Sequence, residues 1–412
     1  MKADSTIRMI VGGDVCFDLE VRTIGYLGAY RLKKEGDHLN EYIGNYPSRT
    51  VSSGSAKFIK RIAKKLVKIW DAIRIHKKNH TLPLFEEFIE PIPENEDRRY
   101  VDYFARTAMK FNIKYPNGRS PEDYPFEHIG PFLKTKDFVL VNLETPLASG
   151  CRPYGYFIST PGHAVAMANA GISMVSLSNN HIFDAGETGY LQTIDNLKGA
   201  GVLYTGAGDN IQKARLGTMV EIKQTRFIFL SYTQFCNSKF ASIAAEYPGI
   251  LPLAPEMIIQ DIKTAKKRAD IVFAVLHWGL ENQPNAHPRE REIAHLLIDA
   301  GADGIIGHHP HVPQEIEVYK NKPIIYSLGN FIFGHNRDHH WSDNYLVELE
   351  IAEKSFREIT IHPIAGKGEE LFQPYLLSGE RAQNVLRDLR DKSANLGTTV
   401  KIQNNHGSIK II

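Results

Sequence analysis

Cysteine is scarce in this chain: three residues in 412, at positions 16, 151 and 236. So few thiols at such wide spacing exclude a disulfide-stapled small fold and fit a reducing compartment. There is also no run of the roughly 18 consecutive apolar residues that a helix needs to cross a bilayer. The few residues before the first expected strand leave no room for a signal peptide or anchor. On this reading the protein is soluble and cytoplasmic as written, and cell-envelope association would require a trimmed N-terminus. An excess of one charge is missing too, since 49 Lys plus Arg face 47 Asp plus Glu for a net charge of +2. Charges this well mixed give no reason to expect nucleic acid as a partner. Internal repeats and low-complexity segments are absent from the sequence.

What the chain does have is a set of Asp, Glu, Asn and His residues, each following an apolar run with strand character. Asp14 follows the run 7–11, Glu144 follows 138–141, and Asn180 and His181 follow 172–177. His277 follows 271–276, and His309 and His311 follow 305–306. Continuous apolar runs of this length are the buried strands of a layered α/β domain. Polar residues at their ends converge on one sheet edge, where such folds place their sites. Carboxylates, an amide oxygen and imidazoles with no necessary thiolate suit one or two divalent ions such as Mn, Zn or Fe. In an extended His309-Pro310-His311 segment the two imidazoles would point to the same side, with His308 pointing elsewhere.

The set spans residues 14 to 311, so the core cannot be divided inside that range without pulling the site apart. Residues 1–20 and 135–412 are therefore expected to form one domain, with 21–134 as an inserted helical cap or lid, because a connection that long must have structure of its own. Within it, 56–80 reads as a helix with an apolar stripe of Phe58, Ile62, Leu66, Ile69 and Ile73 and a strongly basic opposite face. Such a helix can dock on the core, clamp an acidic polymer or lie on an anionic membrane surface. Docking is favoured and membrane contact is not, because the acidic stretch 85–97 can answer the basic face within the chain.

From 135 onward strands alternate with helices expected at 161–170, 187–200, 255–269 and 288–300. Pro161, Pro255 and Pro288 stand at or near their starts, and Gly171, Gly201 and Gly301 follow their ends, as helix punctuation requires. Later β segments are expected at 221–232, 322–326, 344–351 and 356–363, then a helix over 380–393 and a β tail over 399–411. Runs of strands after alternating βα units predict an α/β fold, a four-layer αββα sandwich of two mixed sheets.

The order GGD, NLE, SNNH, HWG, GHHPH and YSLGNFIF resembles the CapA family, which is associated with poly-γ-glutamate capsule synthesis and built on the calcineurin-like metallophosphatase fold. The resemblance covers 7–20 and 135–365. It implies Asp14 and His311 on a first metal, Asn180, His277 and His309 on a second, and Glu144 between them. It further implies His181 as proton donor to a leaving group, with Asp184 either orienting it or capping the next segment. Arg152 and Arg289 are candidates to hold a phosphate or carboxylate, and Asn330 to present an amide to an anion. Two positions depart from the wider phosphatases: Cys16 stands where they have a His, and Glu144 replaces a bridging Asp. A Cys two residues along a strand from Asp14 is expected to be a core residue rather than a ligand. The function implied is a metal-dependent hydrolase that uses metal-activated water on a phosphoester or amide of a capsule polymer. The alternative is a non-catalytic polymer-binding or assembly component with a vestigial metal site.

Overall fold

A computed structural model describes residues 5–17, 121–151, 157–235, 248–334 and 342–411. The expected helix at 56–80 and most of the expected cap at 21–134 lie outside these residues. So does Arg152.

The first strand, β1 (Ile7–Cys16), is the axis of the fold and is almost wholly buried. It pairs in parallel with β2 (Phe138–Leu143), which is followed by β3 (Met174–Ser176) and β4 (Leu203–Thr205). On its other side it pairs antiparallel with β14 (Asn344–Ala352) as far as Val11. Beyond Gly12 and Gly13 that neighbour changes to the parallel strand β13 (Asn330–Phe333). Gly13 permits the change, because a Cβ there would lie 2.0 Å from the carbonyl oxygen of Gly329. Sheet order is completed by β15 (Ser355–Ile364), β17 (His406–Lys410) and β16 (Lys401–Gln403). The second sheet runs β11 (Ile316–Tyr319), β12 (Lys322–Ile325), β10 (Gly304–His308), β9 (Ile271–His277), β7 (Thr225–Thr233), β6 (Thr218–Ile222). Both sheets are mixed: the first is parallel from β1 to its β4 edge and antiparallel from β14 to its β16 edge, and the second has a parallel centre with antiparallel margins. A two-stranded pair of β5 (Ala207–Gly208) and β8 (Gly249–Ile250) stands apart.

The sheets face one another across a core of Met9, Val11, Phe138 and Leu140 from the first and Phe227, Phe229, Phe273 and Ile306 from the second. Phe229 stacks on Phe138 at 5.5 Å and on Phe273 at 5.3 Å between ring centroids. Aromatic pairs of this kind add to the free energy of burying their area. The outer face of the first sheet is covered by α1 (Gly130–Leu133), α2 (Gly162–Ala170) and α3 (Gly186–Ala200), whose Leu133, Met167 and Ile194 meet Val139, Val141 and Val175. After the short α4 (Ile211–Arg215), the helices α5 (Pro255–Ala265) and α6 (Pro288–Asp299) cover the second sheet, and α7 (Gly379–Ala394) packs on β11 and β15 to β17. The result is the expected four-layer αββα sandwich of two mixed sheets.

Differences from expectation are local. The segment 221–232 is a hairpin rather than one strand, turning at Lys223 and Gln224 with φ of 45° and 66°. Helix α5 stops at Ala265, four residues early. Phe126, Ile129 and Leu133, at the end of the segment assigned to the insertion, belong to the core of the main body.

One polar group in this core sets a pH dependence. His163 in α2 is fully buried and stacks on Phe17 at 4.2 Å, and burial pushes its pKa down to about 3. A base neutral in the fold and free to charge when unfolded contributes stability that is complete above about pH 6.5 and is lost as pH falls toward 3. In urea unfolding, wild type should lose about 2 kcal/mol more than His163→Phe between pH 7 and pH 5. Equal losses in the two proteins would contradict this assignment.

Candidate metal centre

The parallel strands of both sheets deliver their C-terminal ends to one place. Asp14 sits near the end of β1, Glu144 directly follows β2, and Asn180 and His181 follow β3. His277 closes β9 and His308 closes β10, with His309 and His311 just beyond. All of these side chains are buried. Because β1 changes partner at Gly13, Asp14 lies opposite Asn142 on one side and Asn330 on the other.

Hydrogen bonds organise the cluster around Asp14 and Glu144. Asp14 Oδ1 accepts from Asn142 Nδ2 at 2.9 Å, and Asp14 Oδ2 accepts from the His309 backbone amide at 3.2 Å. His308 Nδ1 and His311 Nδ1 lie 3.2 and 3.3 Å from the two carboxylate oxygens. His308 therefore faces Asp14 rather than pointing away. His311 Nδ1 also lies 2.9 Å from Asn330 Oδ1. Donation there leaves Nε2 to face Glu144, whose Oε1 is 3.8 Å away. His277 Nε2 lies 2.8 Å from Asn180 Oδ1 and 3.4 Å from Glu144 Oε1.

The turn that carries His309 and His311 is not extended. Their φ values are 98° and 60°, in the region that L residues enter rarely and at local cost. Both imidazoles reach the cluster through left-handed backbone, correcting the expectation of two same-side residues on a strand. Gly307 just before them lets the chain pass β12, since a Cβ there would lie 1.9 Å from the Tyr326 carbonyl oxygen.

Electrostatics separate the members. Burial would raise the pKa of Asp14, but hydrogen bonds and charge from His308 and His311 outweigh it and hold it well below the usual carboxylate range. Glu144 goes the other way, well above its ordinary value, through burial and then the charge of Asp14. Burial opposes charge on His311, yet Glu144 and Asp14 outweigh it and push the imidazole up to about 10. Burial drives His277 well down and His309 to about 4.

Several polar atoms in this shell make no hydrogen bond within the protein. Both carboxylate oxygens of Glu144, Nδ1 of His309 and Nδ2 of Asn330 are sealed from solvent without a hydrogen bond. Orphans of this kind cost stability and are rare unless an ion or water completes them. Glu144, His277 and His309 each bring a ligand atom within 4.8 Å of the others, and so do Asp14, Glu144 and His311. The oxygen and nitrogen donors therefore fit divalent ions, with Glu144 common to both groups.

Beside these groups, His181 Nδ1 lies 2.7 Å from Asp184 Oδ2, which also accepts from the Phe157 amide at 2.9 Å. Asp184 thus contacts His181, while the N-cap of α3 is Ala185, with no side-chain cap. The Phe157 ring packs 4.4 Å from His181. Arg289 lies half-buried in the first turn of α6, where its amide donates to His287 Nδ1 at 3.2 Å. The side-chain carbonyl oxygen of Asn330 reaches His311 Nδ1.

Three contributors went unassigned in the sequence. Asn142 contacts Asp14, His277 and Asn179 at once. Its signal was its parity with Glu144, two residues on along the chain. Asn179 donates to the Leu143 carbonyl at 2.7 Å and accepts from the amides of His181 and Ile182, holding the loop after β3 against β2. His308 carried no signal beyond its neighbours.

Cys16 is buried in an apolar cluster with Phe157, Phe333 and Leu371. Cys16→Ala should keep the metal content of wild type by elemental analysis while lowering stability by about 1 kcal/mol. Loss of an ion from that variant would make the thiol a ligand after all.

Residues 98–335 match the family described as bacterial capsule synthesis protein PGA_cap. The chain is 32% identical over 294 residues to the capsule biosynthesis protein CapA of Bacillus anthracis, covering 68% of this chain and 70% of that protein. It is 31% identical over 252 residues to the PGA biosynthesis protein CapA of Bacillus subtilis, covering 59% and 65%. A probable polyglutamine synthesis accessory protein of Mycobacterium tuberculosis is 30% identical over 211 residues, covering 48% and 55%. The solved NAD nucleotidase of Haemophilus influenzae aligns over 66% of this chain and 52% of its own at a TM-score of 0.34 and 14% identity. At that distance the likeness bears on neither substrate nor mechanism. The family match over more than half the sequence, together with the first relative, makes this chain a member of the PGA_cap family of bacterial capsule synthesis proteins.

Proposed function

We propose that the chain is a metal-dependent hydrolase acting on a phosphoester or amide bond in the metabolism of poly-γ-glutamate or another anionic capsule polymer. The observation that carries this reading is Glu144, a buried carboxylate with no hydrogen-bond donor, shared by two groups of potential ligands. The polymer is inferred from relatives named for capsule, PGA and polyglutamine synthesis.

In this reading Asp14, Glu144 and His311 hold one ion, and Glu144, Asn180, His277 and His309 hold the other, with Mn, Zn or Fe as candidates. When bound, such a pair supplies Lewis-acid polarisation of the scissile group and activation of water. Asn142 and Asn330 fix the side chains that face the ions, the first through Asp14 and the second through His311 Nδ1. Asp184 holds His181 by Nδ1, so Nε2 is the nitrogen available to protonate a leaving oxygen or nitrogen. Phe157 shields that ring and keeps its orientation. Arg289, and Arg152 outside the described residues, remain candidates to hold an anionic substrate.

A second reading is a polymer-binding assembly component without turnover, supported by the name of the M. tuberculosis relative as an accessory protein and by the apolar setting of Cys16. Metal-loaded protein assayed on chromogenic phosphoesters and γ-glutamyl anilides separates the two. The hydrolase reading expects turnover on one class, reduced about 10²- to 10⁴-fold in His181→Ala with metal content unchanged. Salt-sensitive binding of polyglutamate with no turnover on either class would support the second reading instead.

A further inference from the structure

The loop after β9 carries a carboxylate at the solvent side of the cluster. Glu281 is exposed, yet one of its oxygens lies within 4.8 Å of ligand atoms on both His309 and His311. An exposed glutamate normally keeps its charge in water, and many sit near histidines without consequence. Here the backbone does not leave the position to chance. Gly279 donates its amide to Gln234 Oε1 at 3.0 Å, and the Asn282 amide donates to the Pro310 carbonyl at 2.8 Å. The Gln283 carbonyl accepts from Gln314 Nε2 at 3.0 Å. The loop is thus fastened on both sides of Glu281, and one fastening is the residue between His309 and His311.

The group that shares His311 with Glu281 is short of donors. Asp14, Glu144 and His311 offer three donors to one ion, whereas three-donor sets are filled out by a further ligand. The strand position two beyond Asp14 contributes none, because Cys16 is turned into the apolar cluster of Phe157, Phe333 and Leu371. The other ion has Asn180 beside Glu144, His277 and His309, since Asn180 Oδ1 lies 2.8 Å from His277 Nε2. Burial independently points to a ligand in this cluster, because His309 Nδ1 and both oxygens of Glu144 make no hydrogen bond within the protein. The charge of Glu281 is felt by Glu144, His309 and His311 alike, as its position requires.

We propose that Glu281 is a further metal ligand of the centre, entering from the solvent side beside His309 and His311. The inference rests on the metal-centre reading above. It adds a hard carboxylate oxygen to the imidazoles of His309 and His311, which favours Mn or Fe over Zn relative to the imidazoles alone. It also places a carboxylate at the mouth, where an anionic substrate group would compete with it for the open face of the ion.

The test is metal binding by the full chain, read by elemental analysis and by titration with Mn(II). Wild type, Glu281→Gln and Glu281→Ala are compared, with apo-protein melting temperature as the folding control. The backbone contacts that fasten the loop survive substitution at Glu281, so a cooperative apo melting transition in each variant shows that it folds. The expected result is two ions in wild type, and in both variants loss of one ion or weakening of the weaker site by at least about tenfold. Two ions bound with unchanged affinity in both variants would overturn the role of Glu281 and leave the centre itself standing. No Mn(II) bound by wild type would overturn the centre, and the role of Glu281 with it.

Discussion

A buried carboxylate without a donor is the constraint on which this site depends. Moving Glu144 out of water costs several kcal/mol unless charge or hydrogen bonds compensate, and neither His277, His311 nor Asp14 beside it gives its oxygens a hydrogen bond. The protein tolerates that arrangement because the surrounding positions are so firmly built. Asp14 is held by Asn142 and by the His309 amide, His311 by Asn330, and the loop after β3 by Asn179. Amide side chains thus fix the groups around Glu144 while leaving its own oxygens open, an arrangement suited to a cation and unsuited to a polar core closed on itself.

The two-sheet architecture explains how side chains nearly 300 positions apart come to share one shell. Parallel strands in both sheets end on the same side, so each βα turn adds a residue to a common rim. Two of the glycines that let backbone pass backbone, Gly13 against Gly329 and Gly307 against Tyr326, lie within a few residues of a site residue. Close approach of strands is what brings Asp14 into register with Asn142 and Asn330. It also lets the turn after β10 fold back as left-handed backbone, placing His309 and His311 over the end of β1.

Much of this was legible in the sequence because the buried strands are continuous apolar runs ending in chemistry. The run 271–276 followed by His277 is the clearest case, and every residue of β9 is buried. What was not legible depends on tertiary context. Lys223-Gln224 turns a hairpin without the Asn-Gly or Asp-Gly signal that marks such turns, so β6 and β7 read as one strand. Positive φ at His309 and His311 cannot be inferred from residue type, since non-glycine residues adopt it only where surrounding contacts enforce it. Asn142 carried only its parity with Glu144, and its contacts with Asp14, His277 and Asn179 come from the partners the fold brings to it.

The central claim is that the cluster is a metal centre rather than a self-compensated polar core, and melting temperature tests it most directly. Wild type and Glu144→Gln should be compared with chelator and with excess Mn(II). The account predicts that Glu144→Gln melts at least as high as wild type under chelation, because the costly carboxylate is gone. It further predicts that Mn(II) raises the melting temperature of wild type and leaves the variant unmoved. A wild type indifferent to Mn(II), with Glu144→Gln markedly less stable in chelator, would show that Glu144 serves the fold and not a metal.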